Sequence, residues 1–372
     1  RAGEPKKKMA EMATAPRPLA WLGGFDEKTA ESVSATVLEH WAGMLKKGKP
    51  QAHENTVLCA FVVAGLDAEL EGVVAAEGGR PPLKVVALGT GTKCLSAKKR
   101  SLKGDVLNDS HAEVIARRAL NRWLMAELAA AMDDAARDDL FEKVPDCKAD
   151  CSCVCPKWKL RAGLFLHMYI SQAPCGDSSI LLAAPAAGQG GGEGGPSEAV
   201  AVATTGAKVV GGAGAPPPGQ GDVEKGAPQL AALRRKPGKG DATLSMSCSD
   251  KICKWALLGV QGSFLSRFLD EAIPLTSIVV GVADEAERPA VQAALERAVP
   301  DRWRAAQAAL AAGTPVDPPV PADAFEPPGE PPIMAVCRAP PEATGLVPGT
   351  RKSKSGFAIN WDCGLLQKRG EG

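Results

Sequence analysis

The segment at 108–118, Asn-Asp-Ser-His-Ala-Glu-Val-Ile-Ala-Arg-Arg, constrains the chain more than any other. It places an imidazole, His111, and a carboxylate, Glu113, two residues apart where an apolar pattern of helical spacing begins. Cys175 follows an apolar strand pattern in Pro-Cys-Gly-Asp, and Cys248 opens a helical pattern in Ser-Cys-Ser-Asp-Lys. A fold that brings the imidazole and the two thiols together would hold one metal ion.

These three side chains match the ligand number of a catalytic zinc site, which leaves its fourth position to water. Zinc lowers the pKa of a bound water to about 7, and a nearby carboxylate can then carry protons to a leaving group. Helix N-termini favour the thiolate, which is the form of cysteine that binds metal. We therefore predict His111, Cys175 and Cys248 as zinc ligands and a proton-transfer role for Glu113. An alternative interpretation without a metal is a capping box, in which Ser110 and Glu113 cap the N-terminus of the helix.

The composition fits a folded protein with reduced thiols. Hydrophobic residues make up 45% of the 372 residues, enough for a sizeable core, and no apolar run of about 18 residues predicts a membrane span. The formal net charge of +1 says little about partners. Eleven cysteines, an odd number with no signal peptide before them, favour thiolate ligands over a disulfide scaffold. We expect an intracellular location, in nucleus or cytoplasm, no membrane partner, and no protein partner that the sequence identifies.

Strand patterns that alternate with helical patterns predict one layered α/β domain over residues 26–372. Residues 1–25 are expected to be a flexible N-terminal arm, and residues from about 185 to 221 a Gly- and Pro-rich insertion. The predicted helices begin near 26, 110, 248 and 285, and the third is expected to run to about 269. The predicted strands are 56–64, 83–88, 163–170, 277–282 and 356–361, with a short one inside 204–210 and a Pro-rich connection at 313–332.

Several motifs resemble the family of adenosine deaminases that act on RNA. The general nucleobase-deaminase signature, H-x-E followed by P-C-x-x-C, is matched only in part, because Ser178 stands where its second Cys would be. In this family the second zinc Cys is displaced downstream, as Cys248 is here. The matching segments are 107–118, 174–177 and 245–252, with Gly-Thr-Gly-Thr-Lys-Cys at 89–94 and Leu-Gly-Val-Gln-Gly at 258–262. Residues 205–208 and 235–241 are similar to the tRNA branch of the family.

The resemblance implies a fold and an activity. The fold would be the cytidine-deaminase-like layered α/β fold, with a central mixed sheet flanked by helices. The activity would be zinc-dependent hydrolytic deamination of adenosine to inosine, with tRNA as the partner and the adenosine 3′ of the anticodon of alanine tRNA as the target. Two alternatives are an editor of double-stranded RNA and a catalytically silent RNA-binding subunit.

The resemblance also implies roles for further residues. Val57 and Thr92 match positions that line the adenosine pocket. The family buries an inositol hexakisphosphate, and the shell that holds it is matched by Asn108, Arg117, Arg118, Lys251, Lys254 and Ser263. The relay between that cofactor and the zinc site is matched by Asp109, Lys208 and Lys251. Paired arginines suit bidentate phosphate contacts, although without the resemblance a solvated helix face would be the favoured interpretation of Arg117 and Arg118.

Two features depart from the family pattern. Ala256 follows Trp255 where the family has Asn, and the C-terminal part of the family domain is expected to be missing after Gly372.

Other polar clusters have simpler readings. Cys147, Cys151, Cys153 and Cys155 could hold a second zinc or copper(I), but an inserted surface loop is the favoured reading. His167 lies in an apolar strand and is expected in the core. The basic runs at 46–49, 98–103, 234–239 and 351–354 are expected to be solvated loops, unless they share the zinc face and bind RNA phosphates.

Overall fold

Apolar strands of the chain form a mixed sheet whose order differs from their order in the sequence. The computed structural model describes residues 25–66, 82–133, 140–144, 157–182, 207–210, 229–236, 243–312, 328–340 and 352–364. The helices are α1 Glu27–Gly43, α2 Ala112–Asp133, α3 Cys248–Leu258, α4 Gly262–Leu265, α5 Arg288–Glu296 and α6 Arg302–Ala311. The strands are β1 Glu54–Asn55, β2 Leu58–Ala64, β3 Leu83–Thr90, β4 Thr92–Cys94, β5 Asp109–His111, β6 Phe141–Lys143, β7 Trp158–Leu160, β8 Phe165–Ile170, β9 Lys208–Val209, β10 Arg234–Arg235, β11 Ser277–Val282, β12 Ile333–Arg338, β13 Ser353–Lys354 and β14 Asn360–Asp362.

The central sheet has the order β12-β11-β8-β2-β3-β14 among the described strands. β12, β11 and β8 are parallel, and β2, β3 and β14 are joined by antiparallel pairings. The carboxyl ends of β8 and β3 and the amino end of β2 therefore meet at one end of the sheet. This arrangement agrees with the predicted mixed sheet of a layered α/β fold.

Both faces of the sheet are covered by helices, and β2 shows why. Its side chains are buried along the whole strand, and alternate residues point to opposite faces. Cys59, Phe61 and Val63 join a core with α2 and α3. Leu58, Ala60 and Val62 join a second core with α1. A strand buried on both faces reads as a continuous apolar run, as β2 does in the sequence.

Close packing of α2 on β3 fixes where the helix begins. A Cβ added to Gly89 in β3 would lie 2.3 Å from the backbone nitrogen of Ala116 and 2.7 Å from the carbonyl oxygen of Ala112. Gly91 has a φ of +140°, and a Cβ there would lie 2.0 Å from the carbonyl oxygen of Ser110. Only glycine allows both approaches, so these two positions seat the segment that carries the candidate site.

Most predicted elements are present, with corrections to some bounds; the strand predicted at 356–361 is limited to Asn360–Asp362. Asp26 caps α1, accepting a hydrogen bond from the backbone of Thr29, as the helical pattern indicates. The single helix predicted from 248 to 269 is wrong, because Gly259 has a positive φ of 78° and separates α3 from α4. β12 was not predicted, since its six residues directly follow the Pro-rich connection.

Several predictions fall outside the described residues. These are the N-terminal arm apart from its last residue, the insertion at 185–221 apart from residues 207–210, the Cys147–Cys155 cluster and most of the 313–332 connection.

His167 is fully buried in β8 and hydrogen-bonds through Nδ1 to Ser277 Oγ at 2.8 Å, which agrees with the prediction of a core residue. Among the described residues, no helix combines the length and apolar character that a membrane crossing needs.

Candidate metal centre and active site

Three predicted ligands, far apart in sequence, meet at the end of the sheet where β3 and β8 terminate. The ligand atoms of His111, Cys175 and Cys248 all lie within 4.8 Å of one another. Nδ1 of His111 is 3.8 Å from Sγ of Cys175 and 3.6 Å from Sγ of Cys248. Zinc–nitrogen and zinc–sulfur bonds of tetrahedral sites imply nitrogen–sulfur separations of about 3.6 Å. The cluster therefore fits a zinc site.

Each ligand is placed by a different local structure. His111 ends β5, where it pairs with Thr92 of β4, and its backbone N–H donates to Asp109 Oδ1. Cys175 lies in the loop after β8, and Cys248 is the first residue of α3, which Ser247 caps by accepting from the backbone of Asp250. The backbone N–H of Cys248 also points at Cys175 Sγ, at 3.4 Å.

Gly176 lets the Cys175 loop approach the start of α3. Its φ is +109°, and a Cβ there would lie 2.2 Å from Ser247 Oγ. Ser249 Oγ donates to the carbonyl oxygen of Cys175 at 3.0 Å. The two thiols are therefore positioned by backbone contacts between their segments.

The pKa values of the two thiols are shifted in opposite directions. The hydrogen bond with Cys248 lowers the pKa of Cys175 well below its usual value, whereas burial raises the pKa of Cys248. A divalent cation between them would remove both protons, since a coordinating thiol is deprotonated. The donor set is therefore chemically suited to zinc.

Two arginines that the sequence reading missed hold the cysteine segments in place. Arg297 donates to Asp177 Oδ2 at 3.0 Å and to the carbonyl oxygens of Asp177 and Ile180 at 2.9 Å. Arg302 donates to Asp250 Oδ1 at 2.8 Å. Both arginines border a π-helical turn at Arg297–Asp301, which contains a proline and carried no local signal for such contacts.

Glu113 is buried beside the metal cluster, with 3% of its surface exposed. Burial of Cys59 and of Cys248 raises the pKa of each thiol, and the nearby carboxylate of Glu113 raises both further. The capping-box alternative is wrong, because Ser110 lies in β5 opposite Lys93 and the helix begins only at Ala112. Glu113 therefore sits at the second position of α2 without a serine cap.

A buried charge network lies directly behind the cluster. Lys236 Nζ donates to both carboxylate oxygens of Asp109, at 2.9 and 2.8 Å, and Lys251 Nζ also bonds to this carboxylate. Ser245 donates to Asp109 as well, at 2.6 Å. Burial alone would raise the pKa of Asp109, but the two ammonium groups lower it below the ordinary value. The carboxylate is therefore ionised and fixed.

Lys236 is a further residue that the sequence did not indicate. The run at 234–239 was expected to be a solvated loop, yet Arg234 and Lys236 are only 1% and 2% exposed. Burial opposes the charge of Lys236, but nearby Cys248, Cys175 and Asp109 raise its pKa. The sequence around it, Leu-Arg-Arg-Lys-Pro, has no alternation of apolar and polar residues that would have indicated this burial. The predicted relay lysine, Lys208, pairs with Arg235 through its backbone, and its side chain lies outside the described atoms.

The residues predicted for the adenosine pocket border the same site. Val57 is buried, and its carbonyl oxygen accepts from the N–H of Gly91 at 3.2 Å. Thr92 lies opposite His111, and its Oγ1 is buried with no hydrogen-bond partner among the described residues. A buried hydroxyl without a protein partner is suited to a ligand.

The residues predicted for the polyphosphate shell, here called the basic group, lie on or next to α2, α3 and α4 and differ in burial. Arg117 donates from Nε to the carbonyl oxygen of Val260 at 3.0 Å and lies over the ring of Trp255, and burial lowers its pKa to about 10. The side-chain oxygen of Asn108 is buried without a partner among the described residues. Arg118, Lys254 and Ser263 are exposed, and Lys251 is half-buried against Asp109.

Comparison with known proteins assigns this architecture to a family. The adenosine-deaminase (editase) domain family matches residues 87–320. The tRNA-specific adenosine deaminase 1 of Macaca fascicularis is 33% identical over 367 residues, covering 74% of this chain and 69% of that protein. The human protein of the same name is 31% identical, covering 73% and 68%. The double-stranded RNA-specific editase Adar of Drosophila melanogaster is 35% identical over 247 residues, 62% of this chain and 34% of that protein. The chain belongs to the adenosine-deaminase (editase) domain family.

Proposed function

We propose that this chain catalyses zinc-dependent hydrolytic deamination of adenosine to inosine in tRNA. The observation that carries the proposal is the convergence of His111, Cys175 and Cys248 around one point, with the buried carboxylate of Glu113 beside them. Three ligands with an open fourth position are typical of catalytic rather than structural zinc sites. The relatives named as tRNA-specific adenosine deaminases supply the substrate class.

The reaction needs one nucleophile, one proton carrier and a place for the base. Zinc held by the imidazole and the two thiolates would supply a Lewis acid that brings the pKa of water near 7. Glu113 accepts a proton from the attacking water and delivers it to the departing amine, so that water and adenosine give inosine and ammonia. Burial of Glu113 keeps bulk water from competing for that proton.

The pocket residues hold the substrate against this centre. A nucleobase must leave its stack to be reached, and an unpaired anticodon-loop nucleotide does so at low cost. Val57 offers an apolar wall, and the free hydroxyl of Thr92 a hydrogen bond to the nucleoside. From the resemblance of residues 205–208 and 235–241 to the tRNA branch, we propose the adenosine 3′ of the anticodon, in alanine tRNA, as the target.

The basic group is the proposed site of inositol hexakisphosphate. The desolvated guanidinium of Arg117 and the half-buried ammonium of Lys251 would be stabilised by a polyanion. Phosphates there would be bound by Asn108, Arg117, Arg118, Lys251, Lys254 and Ser263. Asp109, which bonds to Lys236, to Lys251 of the basic group and to the backbone of the ligand His111, would then link that cofactor to the metal ligands.

The substrate is tested by comparing RNAs. Isolated alanine tRNA should yield inosine at the position 3′ of the anticodon, and a transcript with guanosine at that position should yield none. A long RNA duplex is the alternative, because the Drosophila editase relative is named for it. Inosine in the duplex but not in the tRNA would replace the tRNA proposal, and inosine in neither would support a silent RNA-binding subunit.

A further inference from the structure

The loop between β4 and β5 is attached directly to the strand of the metal cluster. β4 and β5 pair over three residues, from Thr92 opposite His111 to Cys94 opposite Asp109. The hydrogen bond from the N–H of Leu95 to the carbonyl oxygen of Asn108, at 2.8 Å, closes the loop at its base. The distance from Thr92 to Lys99 is therefore at most about 25 Å, the reach of seven extended residues.

The part of this loop at 97–103, here called the basic finger, is locally ordered. Residues Ala97–Lys99 form a 3₁₀ turn after Ser96, and the N–H groups of Lys99 and Arg100 donate to the carbonyl oxygens of Ser96 and Ala97. Its cations are therefore held on a turn beside the site. This differs from a charge run on an unstructured segment, for which a solvated face is the ordinary reading.

The charged side chains of the basic finger are all cationic. The side chains of Lys98, Lys99, Arg100 and Lys103 are all exposed. Lys93, on β4 itself, is exposed as well. Between residues 95 and 108 the sequence contains one acidic residue, Asp105. Asp109, at the base of the loop, is already bonded to two buried or half-buried lysines.

The tip of the basic finger also exposes apolar surface. Leu102 has a relative exposure of 104%, and Val106 and Leu107 are 43% and 44% exposed. An apolar side chain flanked by cations suits nucleic acid, which offers phosphates and the faces of unpaired bases within a few ångströms of each other.

We infer that the basic finger binds the RNA backbone beside the target nucleoside. Lys99, Arg100 and Lys103 bind phosphates, and Leu102 packs against a ribose or base of the same strand. This inference rests on the proposed function for its choice of RNA, but it assigns a surface outside the reaction centre. It predicts that RNA affinity, rather than the chemical step, depends on these side chains.

The test is direct binding of fluorescently labelled alanine tRNA by the whole chain, between about 50 and 200 mM salt. The triple variant Lys99→Gln, Arg100→Gln, Lys103→Gln should bind about 10- to 100-fold more weakly, because each phosphate contact contributes through counterion release. The slope of log affinity against log salt should fall by about 2 to 3 units. In turnover, KM should rise by the same factor with kcat changed less than about twofold.

The matched control removes the same charge elsewhere. Lys28, Lys84 and Lys143 are exposed on α1, at the amino end of β3 and in β6, and none of them belongs to the β4–β5 loop. Their triple replacement by Gln should leave affinity and salt slope unchanged. If the basic-finger variant binds like this control, the inference is wrong, whether or not inosine is made. If the wild type makes no inosine but the finger variant loses affinity, the proposed reaction fails and the finger assignment stands.

Discussion

Replacement of Glu113 by Gln is expected to lower kcat for inosine formation by about 10²- to 10⁴-fold, the range that general acid–base residues contribute. The amide keeps the size of the side chain, so the buried position at the start of α2 remains filled. It cannot accept a proton from water and pass it to the departing amine. Initial rates on alanine tRNA at saturating concentration measure this effect.

The matched control is Glu127→Gln, which makes the same change on the same helix, several turns from the cluster. It should retain kcat within about twofold, since surface changes away from a site have small effects. Glu113→Gln should also retain its zinc, because Glu113 is not one of the three ligands. Near-normal turnover by Glu113→Gln would remove the proton-transfer role assigned to it.

Replacement of Lys236 by Met is expected to destabilise the fold by about 3–5 kcal/mol, the cost of removing one partner of a buried ion pair. The side chain of Lys236 has no exposed surface, and it bonds both oxygens of Asp109. Without it, Asp109 keeps Lys251 and Ser245 but loses its buried countercharge. Urea unfolding followed by tryptophan fluorescence gives the change in the free energy of unfolding.

Lys208→Met distinguishes the two lysines that have been assigned to this network. If Lys236 supplies the buried countercharge of Asp109, the Lys208→Met protein should have a free energy of unfolding within about 0.5 kcal/mol of the wild type. The opposite pattern, with a stable Lys236→Met protein and an unstable Lys208→Met protein, would assign the buried countercharge to Lys208. The variant Asp109→Asn with Lys236→Met should be less destabilised than the sum of its single changes, because the two residues are in direct contact.

Much of the fold could be predicted from the sequence because its central strands are clear apolar runs. β2 and β11 are short continuous apolar runs bounded by polar or turn residues, and a strand buried on both faces needs no more than that. The Asp26 cap and the apolar spacing after it define α1 in the same way. β12 gave a weaker signal, since it is one apolar run directly after consecutive prolines.

Only part of the candidate site could be predicted from the sequence. The residues that were missed are those whose position depends on contacts with residues far away in the chain. His111, Cys175 and Cys248 each stand in a short local motif, so the sequence indicated them when the three motifs were taken together and matched to the family. Lys236 was not, because a lysine is placed in a core by a partner 127 positions earlier in the chain, Asp109, and not by its neighbours. Its burial is a long-range property. The same holds for the contacts of Arg297 and Arg302 with the cysteine segments.

The zinc content of Cys248→Ser tests the central claim most directly. The measurement is best made in a background where Cys147, Cys151, Cys153 and Cys155 are all Ser, so that this cluster cannot contribute metal. The parent protein should then contain about one zinc per chain with two sulfur ligands near 2.3 Å by X-ray absorption. Cys248→Ser should lose that zinc, and the control Cys363→Ser should keep it. A Cys248→Ser protein that retains a full equivalent of zinc would contradict the account.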